Sequence, residues 1–114
     1  MAIYTKRLLS ESTNGKQIAL LSLPTLIHTA AAGTSSLDEV CLYVSNIHTA
    51  DVLLTLEWGG ATSADQMIMT VPTKSGRYLV VDKKLLQNTL QIKGWGSVTD
   101  VLNIDGYVNR IEYG

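Results

Sequence analysis

The sequence predicts an all-β chain: an antiparallel β-sandwich of jelly-roll or immunoglobulin-like type, with about eight to nine strands. Three observations predict it. Turn-forming residues punctuate the chain about every ten residues, the spacing of short antiparallel strands. Val, Leu, Ile and Thr dominate the segments between them and Phe is absent, and β-branched side chains suit a pleated, half-buried surface. One segment alone, DKKLLQN (82–88), reads as a helical turn, with Asp82 as its N-cap.

The elements follow in order. AIYTKRLL (2–9) is a strand or an extended arm, and residues 1–12 together read as an extended N-terminal arm. SESTNGK (10–16) is a turn, with Asn14-Gly15 the strongest hairpin signal of the chain. QIALLSL (17–23) is a strand, and TLIHT (25–29) a short strand that Pro24 marks as an edge or a bend. LDEVCLYVSN (37–46) is a long strand with Val40, Leu42 and Val44 on one face and Cys41 and Tyr43 on the other. DVLLTLEW (51–58) puts Val52, Leu54, Leu56 and Trp58 on its core face and Leu53, Thr55 and Glu57 opposite. Both strands are therefore expected to be central, with outer faces that also touch something.

QMIMTVP (66–72) and RYLVV (77–81) are expected to form a hairpin through a turn at 73–76, and TLQIKGWG (89–96) is the next strand. VLNIDGYVNRIEY (101–113) is the last, where Gly106 implies a bulge or a close approach of two backbones.

The 114 residues read as a single domain, residues 1–114. Only 17% of residues are charged, against about 25% in a typical soluble domain, so part of the surface is expected to be covered by other chains. The formal net charge is −1 and the nine Lys and Arg are scattered. No basic stripe can track phosphates, so nucleic acid is not expected as a partner. No apolar run approaches the about 20 residues that span a membrane, and the N-terminus lacks the apolar core of a signal peptide. Synthesis in a cytoplasm is expected. Cys41, the only cysteine, reads as a small buried hydrophobe.

The residues needed for catalysis are not brought together by any motif. His28 and His48, the two histidines, lack metal-ligand spacing. No nucleophile elbow or phosphate loop is present. Glu57 beside Trp58 has the look of a sugar-binding strand, and Glu57 with Asp65 or Asp105 offers a carboxylate pair. A solvated strand face beside a core Trp accounts for the same residues. The chain is expected not to be an enzyme and to use no metal or cofactor.

LIHTAAAGTSSLDEVCLYVSNIHTADVLLTLEW (26–58) resembles segments of small virion proteins of tailed bacteriophages. A short strand ending in Thr-Ala is followed by an AG turn, a long apolar strand ending in Asn, a Thr/Ala loop and a second strand. The turn here reads AAG where PAG is usual. VLNIDGYVNRIEY (101–113) is similar to the last strand of such proteins. The resemblance implies a capsid decoration (cement) protein on the virion surface, often a homotrimer, that holds neighbouring major capsid subunits together. Another virion module (tail, head-tail or fibre-attached) and a carbohydrate-binding β-sandwich are the alternatives. The expected contact residues are Ala2, Ile3, Tyr4, Thr5, Lys6, Arg7, Leu8 and Leu9 of the arm, with Tyr43 and Leu53 on the outer strand faces.

Overall fold

The computed structural model describes residues 1–74 and 76–113. Within them lie nine strands: β1 Ala2–Arg7, β2 Ile18–Ala19, β3 Thr25–Thr29, β4 Ser36–Asn46, β5 Val52–Trp58, β6 Gln66–Val71, β7 Arg77–Leu86, β8 Gln91–Gly96 and β9 Leu102–Tyr113. One sheet runs β1-β9-β4-β7, with β2 also on β9, and the other runs β3-β8-β5-β6. Every pairing is antiparallel.

β1 and β2 lie end to end along one side of β9, against Val108–Tyr113 and Asn103–Ile104 respectively. Counted as one interrupted position, they give strand orders 1-8-3-6 and 2-7-4-5. That is the double Greek key of a jelly roll, which decides between the two sandwich types the sequence leaves open.

β4 and β5 are central, one in each sheet. Their inward residues Val40, Leu42, Val44, Val52, Leu54 and Leu56 are buried and pack with Ile92, Leu102, Ile104 and Val108. Trp58 differs from expectation: it sits at the strand end, half-buried, its indole N–H donating to the Leu85 carbonyl at 3.2 Å. The link between β4 and β5 is ordered by Asn46, which is 2% exposed. Its amide donates to the Ala50 and Val71 carbonyls, and its oxygen accepts from the His48 N–H.

Four sequence expectations need correction. Residues 82–88 form no helical turn; β7 continues to Leu86, because β4 is long enough to pair it as far as Asp38. The register shifts between Val40 and Leu42, where Lys83 takes a left-handed φ of 58°. β6 and β7 are not a hairpin: β6 pairs β5, β7 pairs β4, and the connection crosses between sheets. Ser75 of that predicted turn lies outside the described residues, as does Gly114. Asn14 and Gly15 do turn the chain with left-handed φ of 55° and 87°, but the strands they join both lie along β9. Within 17–23 only Ile18–Ala19 is a strand, although Leu20 is buried.

Gly106 fulfils its expectation. A Cβ at this position would collide with the Cys41 carbonyl oxygen and lie 3.2 Å from the Leu42 Cα. Both are backbone atoms of a central strand and cannot step aside. Gly106→Ala is expected to cost about 1–3 kcal/mol through overpacking, read as a lower denaturant midpoint at unchanged slope. Wild-type stability would mean that β4 and β9 are not in this register.

Candidate interaction surface

The strongest polar cluster is internal. Asp38 on β4 is fully buried, and the same alternation that turns Val40, Leu42 and Val44 inward turns Asp38 inward too. A buried carboxylate must be paired. Arg110 on β9 binds it in a fork, Nε to Oδ1 at 2.7 Å and Nη2 to Oδ2 at 3.0 Å. His28 on β3 donates from Nε2 to Oδ2 at 2.7 Å, and the Ala31 N–H donates to the same oxygen at 3.2 Å. The Ser10 N–H donates to His28 Nδ1 at 2.9 Å, which puts the ring proton on the side of Asp38. Burial pushes the Asp38 carboxyl up, but hydrogen bonds from Arg110 and His28 more than offset this and hold it below its ordinary 3.8. Sequence reading missed this cluster, although the shared parity of Asp38 with Val40 and of Arg110 with Val108 was the available signal. Its work is structural: it ties both sheets and the segment after β1 together.

That tie corrects the free-arm expectation. Ala2–Arg7 pair in unbroken register with β9, Leu9 is 1% exposed in the core, and Ser10 bonds β3. Of the predicted contact residues, Leu9 is therefore unavailable. Ala2, Tyr4 and Lys6 share the outer face of their sheet with Tyr43, whereas Ile3, Thr5 and Arg7 point to the inner side. Ile3 is nevertheless 56% exposed, so β1 overhangs the second sheet. Leu8 is exposed just beyond the strand, and Leu53 is exposed on the outer face of the other sheet.

The outer face of the first sheet mixes exposed aromatic and apolar side chains with charged ones. Tyr4, Tyr113, Leu79 and Leu85 are exposed on it, and sequence reading missed the last three as contact candidates. Tyr43 lies under the Arg77 guanidinium, 3.6 Å from the ring centroid. Arg77 in turn holds Asp105 with Nη2 at 2.8 Å from Oδ2. Cys41 faces this side yet is buried: Tyr107, its partner in register, covers it under Lys6. A hydrogen bond with Cys41 pushes the Tyr107 hydroxyl above its ordinary value. On the second sheet, Leu53 and Ile68 are exposed on the outer face beside Trp95.

The sugar-binding and carboxylate-pair readings lose their geometry. Glu57 faces outward and Trp58 inward, so the two do not share a surface. Asp105 lies on the other sheet in its ion pair with Arg77, and Asp65 accepts from Thr62 at 2.8 Å. An open cleft of about 240 Å³ runs beside Glu57, Gly59, Leu90 and Lys93, below the usual size of ligand pockets. Among the described residues, no three His, Cys, Asp or Glu side chains converge as a metal site.

No protein-family model matches this sequence, and no curated protein matches it. Among solved structures, the chain is similar to one described as Bacillus endospore appendages forming a novel family of disulfide-linked pili, with a TM-score of 0.52. The alignment covers 98% of this chain and 87% of the other at 12% identity, a likeness of fold.

Proposed function

We propose that this chain is a structural subunit of a larger protein assembly, and specifically a decoration protein that binds the assembled head of a tailed phage and strengthens contacts between major capsid subunits. One observation carries the reading: exposed apolar side chains stand on the outer faces of both sheets, among them Tyr4, Leu79 and Leu85 on one and Leu53 and Ile68 on the other. Of these, Leu53 and Ile68 are diagonal neighbours across β5 and β6, the start of a shared apolar contact surface. Contacts on several sides let one subunit engage several neighbours at once, and linked weak contacts gain affinity through effective concentration.

A second reading, a subunit of a fibre or appendage, is favoured by the likeness to the endospore-appendage structure. Electron microscopy of the purified chain, alone and mixed with heads that lack it, separates the two. Decoration predicts ordered density on heads. Fibres from the chain alone, with bare heads, would favour the appendage reading, and neither outcome would remove both.

A further inference from the structure

Each sheet has two edges, and natural proteins guard edges with bulges, proline, charge or short length. β7 is guarded by its bulge at Lys83 and by Asp82, Lys83 and Lys84. β3 is guarded by Pro24, its five-residue length and a register break between Leu26 and His28. β6 and β1 are different. β6, QMIMTV, is unbroken in register, carries no charge, and exposes Ile68 at 60%. β1, AIYTKR, is equally unbroken, carries its charge only at its end in Lys6 and Arg7, and exposes Tyr4 at 71%.

The backbone directions of these two edges match. The Ile47 N–H donates to the Val101 carbonyl and the Leu20 N–H to the Leu102 carbonyl, so odd residues of β9 address β4 and even ones address β1 and β2. Through the register, Ile3, Thr5 and Arg7 bond β9, and Ala2, Tyr4 and Lys6 turn their N–H and C=O groups to the open edge. On β5, Leu53 accepts from the Ser97 N–H and the Gly59 N–H reaches Gln91, so odd residues address β8. Met67, Met69 and Val71 therefore bond β5, and Ile68 and Thr70 turn theirs to the open edge, whereas the Gln66 N–H is taken by the Ser63 carbonyl and leaves only its C=O there.

We propose that β1 of one copy of this chain adds, antiparallel, to the open edge of β6 in a second copy. The register that sets Tyr4 opposite Ile68 also sets Ala2 opposite Thr70 and Lys6 opposite Gln66, so the first two pairs exchange both hydrogen bonds and the Gln66 C=O is placed to accept from the Lys6 N–H. The two exposed side chains then stack on one continuous outer face. Charge favours this pairing over either strand with itself. Arg7 at the basic end of β1 comes opposite Asp65, which immediately precedes β6. The two edges lie on opposite flanks: Ser10, just past β1, bonds β3, whereas β7 follows β6 in the chain and its Leu85 bonds Trp58. The contact is thus head to tail, and repeats into a ring or a filament instead of stopping at two copies. The inference rests on the reading of the chain as an assembly subunit, but it serves a head-bound ring and a fibre alike.

Mixing two variants of the full chain, each with one added cysteine, tests it. Tyr4→Cys and Ile68→Cys both change exposed side chains, and buried Cys41 stays silent. A hydrogen-bonded antiparallel pair holds Cα atoms about 5.5 Å apart, within disulfide reach. Under mild oxidation the mixture is expected to yield a covalent dimer that neither variant yields alone, and Ile68→Lys is expected to lower the sedimentation coefficient of the otherwise unmodified chain. Linking of Tyr4→Cys alone or of Ile68→Cys alone would overturn the proposal in favour of like-with-like edges. No linked dimer in any mixture would overturn it too, while leaving head binding, measured separately, intact.

Discussion

Asp38→Ala is expected to destabilise the fold by about 3–5 kcal/mol, the cost of breaking a buried ion pair from one side. The change strands Arg110 and His28, whose donors are aimed at a fully buried carboxylate. It also releases the Ala31 N–H and weakens the hold on Ser10, so both sheets and the segment after β1 lose their common tie. Chemical denaturation at neutral pH measures the loss. The cluster also carries a pH signature. The folded-state pKa of Asp38 lies below 3.8, so its contribution is fully present above the unfolded value and is lost as pH falls through the lower folded value. Asp38→Asn should therefore lie well below wild type at neutral pH, and the gap should close in acid below pH 3.8. A gap unchanged down to the lowest accessible pH would mean that the carboxylate charge is not what the cluster uses.

Leu54→Ala is the second large effect, with an expected loss of about 2–5 kcal/mol. Leu54 is fully buried on the central strand of the second sheet, flanked in register by Met69 and Gly96. Neighbours on two ladders are pinned by their own hydrogen bonds, so the cavity cannot collapse fully. Leu53→Ala, one residue away, is the control: Leu53 is exposed on the outer face, and its truncation should change stability by less than about 0.5 kcal/mol. Reversed magnitudes would place this strand one residue out of register and turn its faces over.

Much of this fold was legible because its central strands obey the period of two. Val40, Leu42, Val44, Val52, Leu54 and Leu56 share the inner faces the alternation assigns them, and both strands are central as their half-apolar outer faces imply. Gly106 announced a close backbone approach and makes one. The failures have a common cause: they depend on what lies far away in sequence. Residues 82–86 carry helix-compatible Lys and Leu, but β4 captures them, and register shifts on either side of Leu42, one of them at left-handed Lys83, absorb the extra residues. β6 and β7 look like hairpin partners only because they are adjacent in the chain. The Asp38 cluster joins residues separated by as many as 72 positions, and nothing local connects them. The candidate surface was half legible. Tyr43 and Leu53 follow from strand parity and Tyr4 was reached only as part of an expected arm, whereas the openness of the β6 edge depends on which strands are left unguarded once both sheets are built.

The measurement closest to the central claim is the temperature at which heads release their DNA, followed with an intercalating dye, for heads lacking this protein before and after adding it back. A subunit that binds only the assembled shell stabilises that shell by mass action. Release is expected to shift to higher temperature with added protein and to saturate as the sites fill. Equal release temperatures for bare and saturated heads, with the protein demonstrably bound, would contradict it.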